Sequence, residues 1–179
     1  MLKGTVMMLG AIIASSTIDS YISSSAQKYN VEPALIRAHI KAESNWSPSA
    51  SRYEPHLNDY SFGLMQVLLR TAREQSGNAK LTTEQLLDPQ TNIDIGTKYV
   101  AYQLKRYKGN IKDAISAYNA GSAKKVAVDT YSNQAYVDKV HRYYTLYKIE
   151  QSVKQSASLL VPVLGLFVLG FIYFKFKKS

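Results

Sequence analysis

Helical punctuation is the feature that most restricts what this chain can fold into. Between residues 31 and 147, prolines, glycines and capping residues divide the sequence into segments whose apolar positions recur at helical spacing. Pro33 stands where a first helical turn begins, a position at which its missing N–H leaves no bond unmade. The segment from Pro33 to Glu43 predicts a helix, ended by Asn45 to Pro48. Thr82 and Gln85 have the spacing of a capping box, and Asp88-Pro89 is a second cap followed by proline. After it, Ile93, Gly96, Thr97, Val100, Leu104 and Tyr107 line one face of a helix closed by Gly109. Ile111 to Asn119 predicts a further helix stopped by Gly121. Tyr136, Val140, Tyr143, Tyr144 and Tyr147 share the face of a last one. No run of strand alternation stands out, so the fold class is mainly α, with at most a small hairpin at Asn58-Asp59.

The ends are different. Val6 to Ala14 is apolar and follows Lys3, the layout of a signal peptide or of a helix that stays attached. Ala157 to Phe174 is an uncharged run of 18 residues. At about 1.5 Å per residue it matches a hydrocarbon layer of about 30 Å, and is expected to be a transmembrane helix. The trailing Lys175, Lys177 and Lys178 would place the tail on the cytoplasmic side and the rest outside. The expected organisation is an apolar leader (1–20), a catalytic domain (21–150), a membrane span (157–174) and a basic tail (175–179).

Composition narrows function by exclusion. The chain has no cysteine, which removes disulfides, thiolate metal sites and a cysteine nucleophile. Its formal charge of +9 suits an anionic partner: a lipid surface, a wall polymer or nucleic acid. His39, His56 and His141 are too scattered for a metal site, and no cofactor is expected.

One carboxylate stands out. Ile36, His39 and Ile40 precede Glu43 on the same helix face, so it terminates an apolar stripe. Burial there would raise its pKa and keep it protonated as a proton donor. The plainer alternative is a solvated helix-end residue, or one paired with His39.

A wider pattern surrounds it. Ala42-Glu43-Ser44-Asn45-Trp46 is followed by Gly63-Leu64-Met65-Gln66-Val67, then by Leu87-Asp88-Pro89 with Asn92-Ile93 and Gly96, by Ala117-Tyr118-Asn119-Ala120-Gly121, and by Tyr136-Val137. In this order, over roughly residues 21 to 147, the chain resembles the soluble lytic transglycosylases, whose catalytic domain is goose-type-lysozyme-like. The resemblance implies a lysozyme-like helical fold and cleavage of the bond between N-acetylmuramic acid and N-acetylglucosamine in peptidoglycan. That cleavage uses no water and leaves a 1,6-anhydro end. It also implies that Glu43 is the single catalytic acid and base, and that Ser44 orders the helix end. Met65 would be an apolar cleft wall and Gln66 a hydrogen-bonding group. Tyr118 would lie near the catalytic carboxyl, Asn119 toward the sugar N-acetyl groups, and Tyr136 at the start of the last domain helix.

The stretch between Glu43 and Gly63 is a few residues longer than is common in that family. The extra residues fall where goose-type lysozymes carry water-positioning carboxylates, so Asp59 or Glu54 stands as an alternative second carboxylate of a hydrolase. A non-catalytic wall-binding or channel component with the same fold is the other alternative. The expected partners are glycan strands, a membrane through residues 157–174 and other proteins of a virion or secretion machine, without specific nucleic-acid recognition. By analogy, the setting is a membrane-anchored enzyme facing the periplasm, with phage genome delivery as the leading case.

Overall fold

In the computed structural model, the backbone of residues 2–176 and the side chains of residues 16–157 are described. Two helices begin on proline. Helix α2 (Pro33–Ser44) starts at Pro33 and ends at Asn45, which takes the left-handed conformation at φ 51°. Helix α5 (Pro89–Arg106) starts at Pro89, capped by the Asp88 carboxylate, which accepts from the Thr91 N–H at 2.9 Å. Helix α4 (Thr83–Leu87) carries the capping box read from Thr82 and Gln85. Helix α6 (Ile111–Ala120) ends on left-handed Gly121 at φ 73°.

Two longer helices flank these. Helix α1 (Leu2–Tyr29) lies along α5, where Lys28 Nζ reaches Asp94 at 2.8 Å and the Tyr29 hydroxyl donates to the same carboxylate at 2.9 Å. Helix α7 (Gln134–Phe176) packs most extensively on α2. The core runs through all of them: Ile22 of α1, Leu35, Ile36 and Ile40 of α2, Ile93 and Val100 of α5, Ile115 of α6, and Val137 and Val140 of α7 are buried. Burying one such side chain contributes about 1.5–3 kcal/mol. The domain packing therefore already includes the second half of α1. The apolar leader at residues 6–14 has side chains outside the described residues.

Two expectations are corrected. The first is the transmembrane helix at 157–174. Among the described residues no helix is long and apolar enough to cross a membrane. The segment belongs to α7, which begins inside the domain and carries the exposed charges Lys148, Glu150 and Lys154; side chains beyond Ala157 lie outside the described residues.

The second correction concerns strands. The hairpin at Asn58-Asp59 exists, but β1 (Ser51–Glu54), β2 (Asp59–Phe62) and β3 (Val67–Leu68) form a three-stranded antiparallel sheet. A second hairpin joins β4 (Lys125–Ala127) to β5 (Thr130–Tyr131). In the first, Tyr53 pairs with Tyr60 across the strands, their rings 5.1 Å apart. An aromatic cross-strand pair of this kind adds about 0.2–1 kcal/mol to a short ladder. Helix α3 (Leu69–Ser76), which follows β3 directly and ends at left-handed Gly77, has no counterpart in the sequence reading.

Candidate active site

Glu43 sits one residue from the end of α2, its side chain only 5% exposed. It opens into a cleft of about 480 Å³, lined also by Arg52 and Glu54 of β1, Gln66, and Tyr118 and Asn119 of α6. Burial raises the Glu43 pKa above the ordinary carboxylate value. A hydrogen bond from Tyr136 and the charges of Arg52 and Lys139 act against that rise, while the Glu54 charge adds to it. The balance favours a carboxylic acid that holds its proton longer than a solvated one.

The phenol that touches this carboxyl belongs to Tyr136. From the first turn of α7 its hydroxyl donates to Glu43 Oε1 at 2.5 Å, and His39 Nδ1 lies 3.3 Å from the Tyr136 hydroxyl oxygen. Burial, then the Glu43 charge, pushes the Tyr136 pKa well above the phenol value, so it remains a donor. Burial lowers His39 to about 3, so its imidazole is neutral and cannot be the ion-pair partner of Glu43.

Tyr118, expected near the carboxyl, lines the cleft and is close enough for the Glu43 charge to add to burial in raising its pKa. Its hydroxyl, however, donates to the Met65 carbonyl at 2.8 Å, and its ring packs on His39 with centroids 4.4 Å apart. It braces the Gly-Leu-Met-Gln segment from α6.

That segment is held from all sides. Ser44 Oγ donates to the Leu64 carbonyl at 2.8 Å, tying the end of α2 to it. Asn92 of α5 accepts from the Met65 N–H at 2.8 Å and donates to the Phe62 and Leu86 carbonyls at 2.8 and 2.9 Å. Gly63, at φ +74°, lies so close to Asn92 that a Cβ would stand 2.3 Å from its amide nitrogen. Met65 is fully buried, and a Cβ on Gly96 would stand 2.5 Å from its sulfur. Met65 is thus core under the cleft rather than its wall, because α5 approaches at a glycine. Gln66 does line the cleft, but its NH2 donates to the Ala50 and Gly63 carbonyls at 3.0 and 2.9 Å. Both its donors are spent on the loop, which holds it at φ 46°. Asn119 lines the cleft, its Oδ1 accepting from Asn133 at 2.9 Å.

The two alternative carboxylates part company. Glu54 lines the cleft, with Oε1 engaged by Arg52 Nε at 2.7 Å and by Ser61 Oγ at 2.9 Å. Asp59 does not line it and faces Arg70 at 3.8 Å. Arg52 is the residue that sequence reasoning missed, and Asn92 stood in the family pattern without a role assigned to it. Arg52 Nη2 stands 3.6 Å from Glu43 Oε2. Its only signal was an alternating Ser-Arg-Tyr-Glu that reads as strand once paired. Among the described residues no group of three His, Asp or Glu side chains is arranged to hold a metal.

A mainly helical domain with a buried acid at the end of a cleft is of the lysozyme-like class. The profile of the transglycosylase SLT domain family matches residues 20–141, and the chain belongs to that family. Membrane-bound lytic murein transglycosylase C of Yersinia enterocolitica is 33% identical over 119 residues, covering 60% of this chain and 32% of the relative. The protein of the same name from Yersinia pestis is 34% identical over 120 residues, with the same coverage. The chain thus spans about a third of the length of the curated relatives it matches. Among solved structures, the 70 kDa soluble lytic transglycosylase of Escherichia coli superposes with a TM-score of 0.62 at 25% identity, over 74% of this chain and 24% of that one. Lytic transglycosylase Slt of Pseudomonas aeruginosa shares the fold with the same TM-score at 24% identity.

Proposed function

We propose that this domain is a peptidoglycan lytic transglycosylase acting outside the cytoplasmic membrane, where its substrate lies. It would cleave the β-1,4 bond between N-acetylmuramic acid and N-acetylglucosamine with Glu43 as its one acid and base. The observation that carries the reading is the buried Glu43 carboxyl, raised in pKa and oriented by Tyr136, at the end of a cleft in a domain of this family.

The proposed chemistry needs no second carboxylate and no cofactor. Protonated Glu43 gives its proton to the bridging oxygen, and the C1–O bond breaks with its electron pair going to the leaving sugar. The N-acetyl carbonyl of the muramyl residue stabilises C1. The C6 hydroxyl of the same residue then attacks C1 and returns its proton to Glu43, closing the 1,6-anhydro ring. Atoms balance without water, and the nucleophile gains from being part of the substrate. Tyr136 stabilises the carboxylate between the two proton transfers. In this reading the sugar lies against Asn119 and Tyr118, which line the cleft, while Met65, Gln66 and Ser44 support the segment beneath it. The hydrolase alternative fits less well, because Asp59 stands off the cleft and Glu54 is committed to Arg52.

The test is Glu43→Gln, which is nearly isosteric. Cleavage of purified wall should fall at least about a thousandfold, within the range for general acid–base groups. Undiminished turbidity loss with the variant would overturn the assignment.

A further inference from the structure

The β1–β2 hairpin, in the stretch that is longer than family spacing, has two unlike faces. Tyr53, Tyr60 and Phe62 share the outer one, with successive ring centroids 5.1 and 6.2 Å apart. Arg52 and Glu54, with Ser61 opposite Arg52, face the cleft. This inner face places a cation beside an acid that must be protonated to act, which opposes the proposed chemistry while the cleft is empty.

The geometry of that cation is asymmetric. Arg52 Nε donates to Glu54 Oε1 at 2.7 Å, whereas Nη2 stands 3.6 Å from Glu43 Oε2. Charge-assisted bonds run about 2.7–2.9 Å, so the first is a full hydrogen bond and the second a Coulombic approach. Glu54 is itself held by Ser61, whose hydroxyl also lies 3.0 Å from Gln66 Oε1. The guanidinium is therefore anchored along its Nε edge, while Nη2 makes only the longer, weaker approach to Glu43. The side chain is 49% exposed at the cleft. A planar fork held firmly along only one edge is suited to a carboxylate.

We propose that Arg52 is a substrate-binding residue that pairs with a carboxylate on the muramyl side of the glycan, and that Glu54 is the positioning residue that holds it. The inference rests on the peptidoglycan reading above. Two groups have the required chemistry: a carboxylate of the peptide stem, and the lactyl carboxylate of a muramyl residue without a stem. Pairing draws the guanidinium away from Glu43, so the cation that opposes protonation is removed when substrate occupies the cleft. In this account Glu54 takes no part in bond breaking.

The experiment compares the full chain with R52Q and E54Q on three walls: untreated sacculi, sacculi with their carboxylates converted to amides, and glycan stripped of stems by an amidase. On untreated wall R52Q should raise KM by about tenfold, the scale of one hydrogen bond to a charged group, with kcat within about twofold. Amidation should raise the KM of the unmodified chain to a similar level and leave R52Q indifferent. E54Q should give a smaller rise in KM and keep kcat. On stripped glycan, a persisting R52Q penalty identifies the lactyl carboxylate and a vanished one the stem, either supporting the proposal. An R52Q penalty equal on untreated and amidated wall, or no penalty on either, would overturn it. So would loss of kcat in E54Q. If the unmodified chain cleaves none of these walls, the transglycosylase reading fails, and co-sedimentation decides the Arg52 assignment alone. Weaker pelleting of R52Q with untreated but not amidated wall supports it, and equal pelleting rejects it.

Discussion

The Tyr136 hydroxyl and the Glu43 carboxyl meet at 2.5 Å although 93 residues separate them in sequence. The contact joins the start of α7 to the end of α2, the most extensive helix pair in the domain. It works against burial: the phenol stabilises the carboxylate, while desolvation disfavours it. Tyr136→Phe keeps the ring and removes only that stabilisation. Activity that needs protonated Glu43 falls as pH rises through its pKa, so the variant's alkaline limb should shift to higher pH. Its maximal rate should drop by about tenfold or more, since the carboxylate between the two proton transfers loses its donor. The pH–rate profiles of the two proteins check this, and an unmoved alkaline limb counts against it.

Glu43 should also limit stability. Its folded pKa lies above the unfolded value. The folded state therefore binds more protons, and stability falls as pH rises from about 4.5 through the raised value. Glu43→Gln removes that loss while keeping an oxygen for Tyr136. Thermal unfolding should show equal Tm values for the two proteins near pH 4 and a higher Tm for Glu43→Gln at pH 7 and above, the trade-off expected where a functional carboxyl is buried. A variant less stable by the same amount at every pH would contradict the account.

Asn92, itself fully buried, satisfies three backbone groups around the Gly63–Gln66 segment, those of Met65, Leu86 and half-buried Phe62. Asn92→Ala should cost about 2–4 kcal/mol in urea unfolding, because a donor and two acceptors lose their partner together. Gly63→Ala should cost about 2–3 kcal/mol, combining a positive φ with a Cβ driven into Asn92. A loss under about 0.5 kcal/mol for either would mean that the segment is held otherwise.

Asp59 separates the transglycosylase from the hydrolase. Its only ion pair, among the described residues, is the long one to half-exposed Arg70. Asp59→Asn should leave the rate of wall cleavage within about twofold and stability within about 1 kcal/mol. A loss of about a hundredfold would assign it the water-positioning role.

What could be read from the sequence was what is local. The boundaries of α2, α4, α5 and α6 follow from Pro33, Thr82 with Gln85, Asp88-Pro89, Asn45 and Gly121, each acting within a turn of itself. Helix α3 escaped because it buries only Ala72 and so has no apolar stripe. The three-stranded sheet escaped because its strands have four, four and two residues, too short for alternation to register. Glu43 was legible from the stripe before it and from the family pattern. Which of two tyrosines reaches it was not, since that depends on how α6 and α7 pack on α2. Met65 and Gln66 were recognisable as part of a motif, but their burial depends on the approach of Gly96 and on the Ala50 carbonyl, both distant in sequence, as well as on the nearby Gly63 carbonyl. The span at 157–174 was inferred from apolar length and the lysines that follow it, and no helix among the described residues meets the requirement for crossing a membrane.

The most direct test of the central claim is mass spectrometry of the muropeptides released from purified peptidoglycan by the full chain and by Glu43→Gln. The account predicts 1,6-anhydro-muramyl ends from the unmodified chain and no release from the variant. Reducing muramyl ends, or anhydro ends released equally by Glu43→Gln, would contradict it.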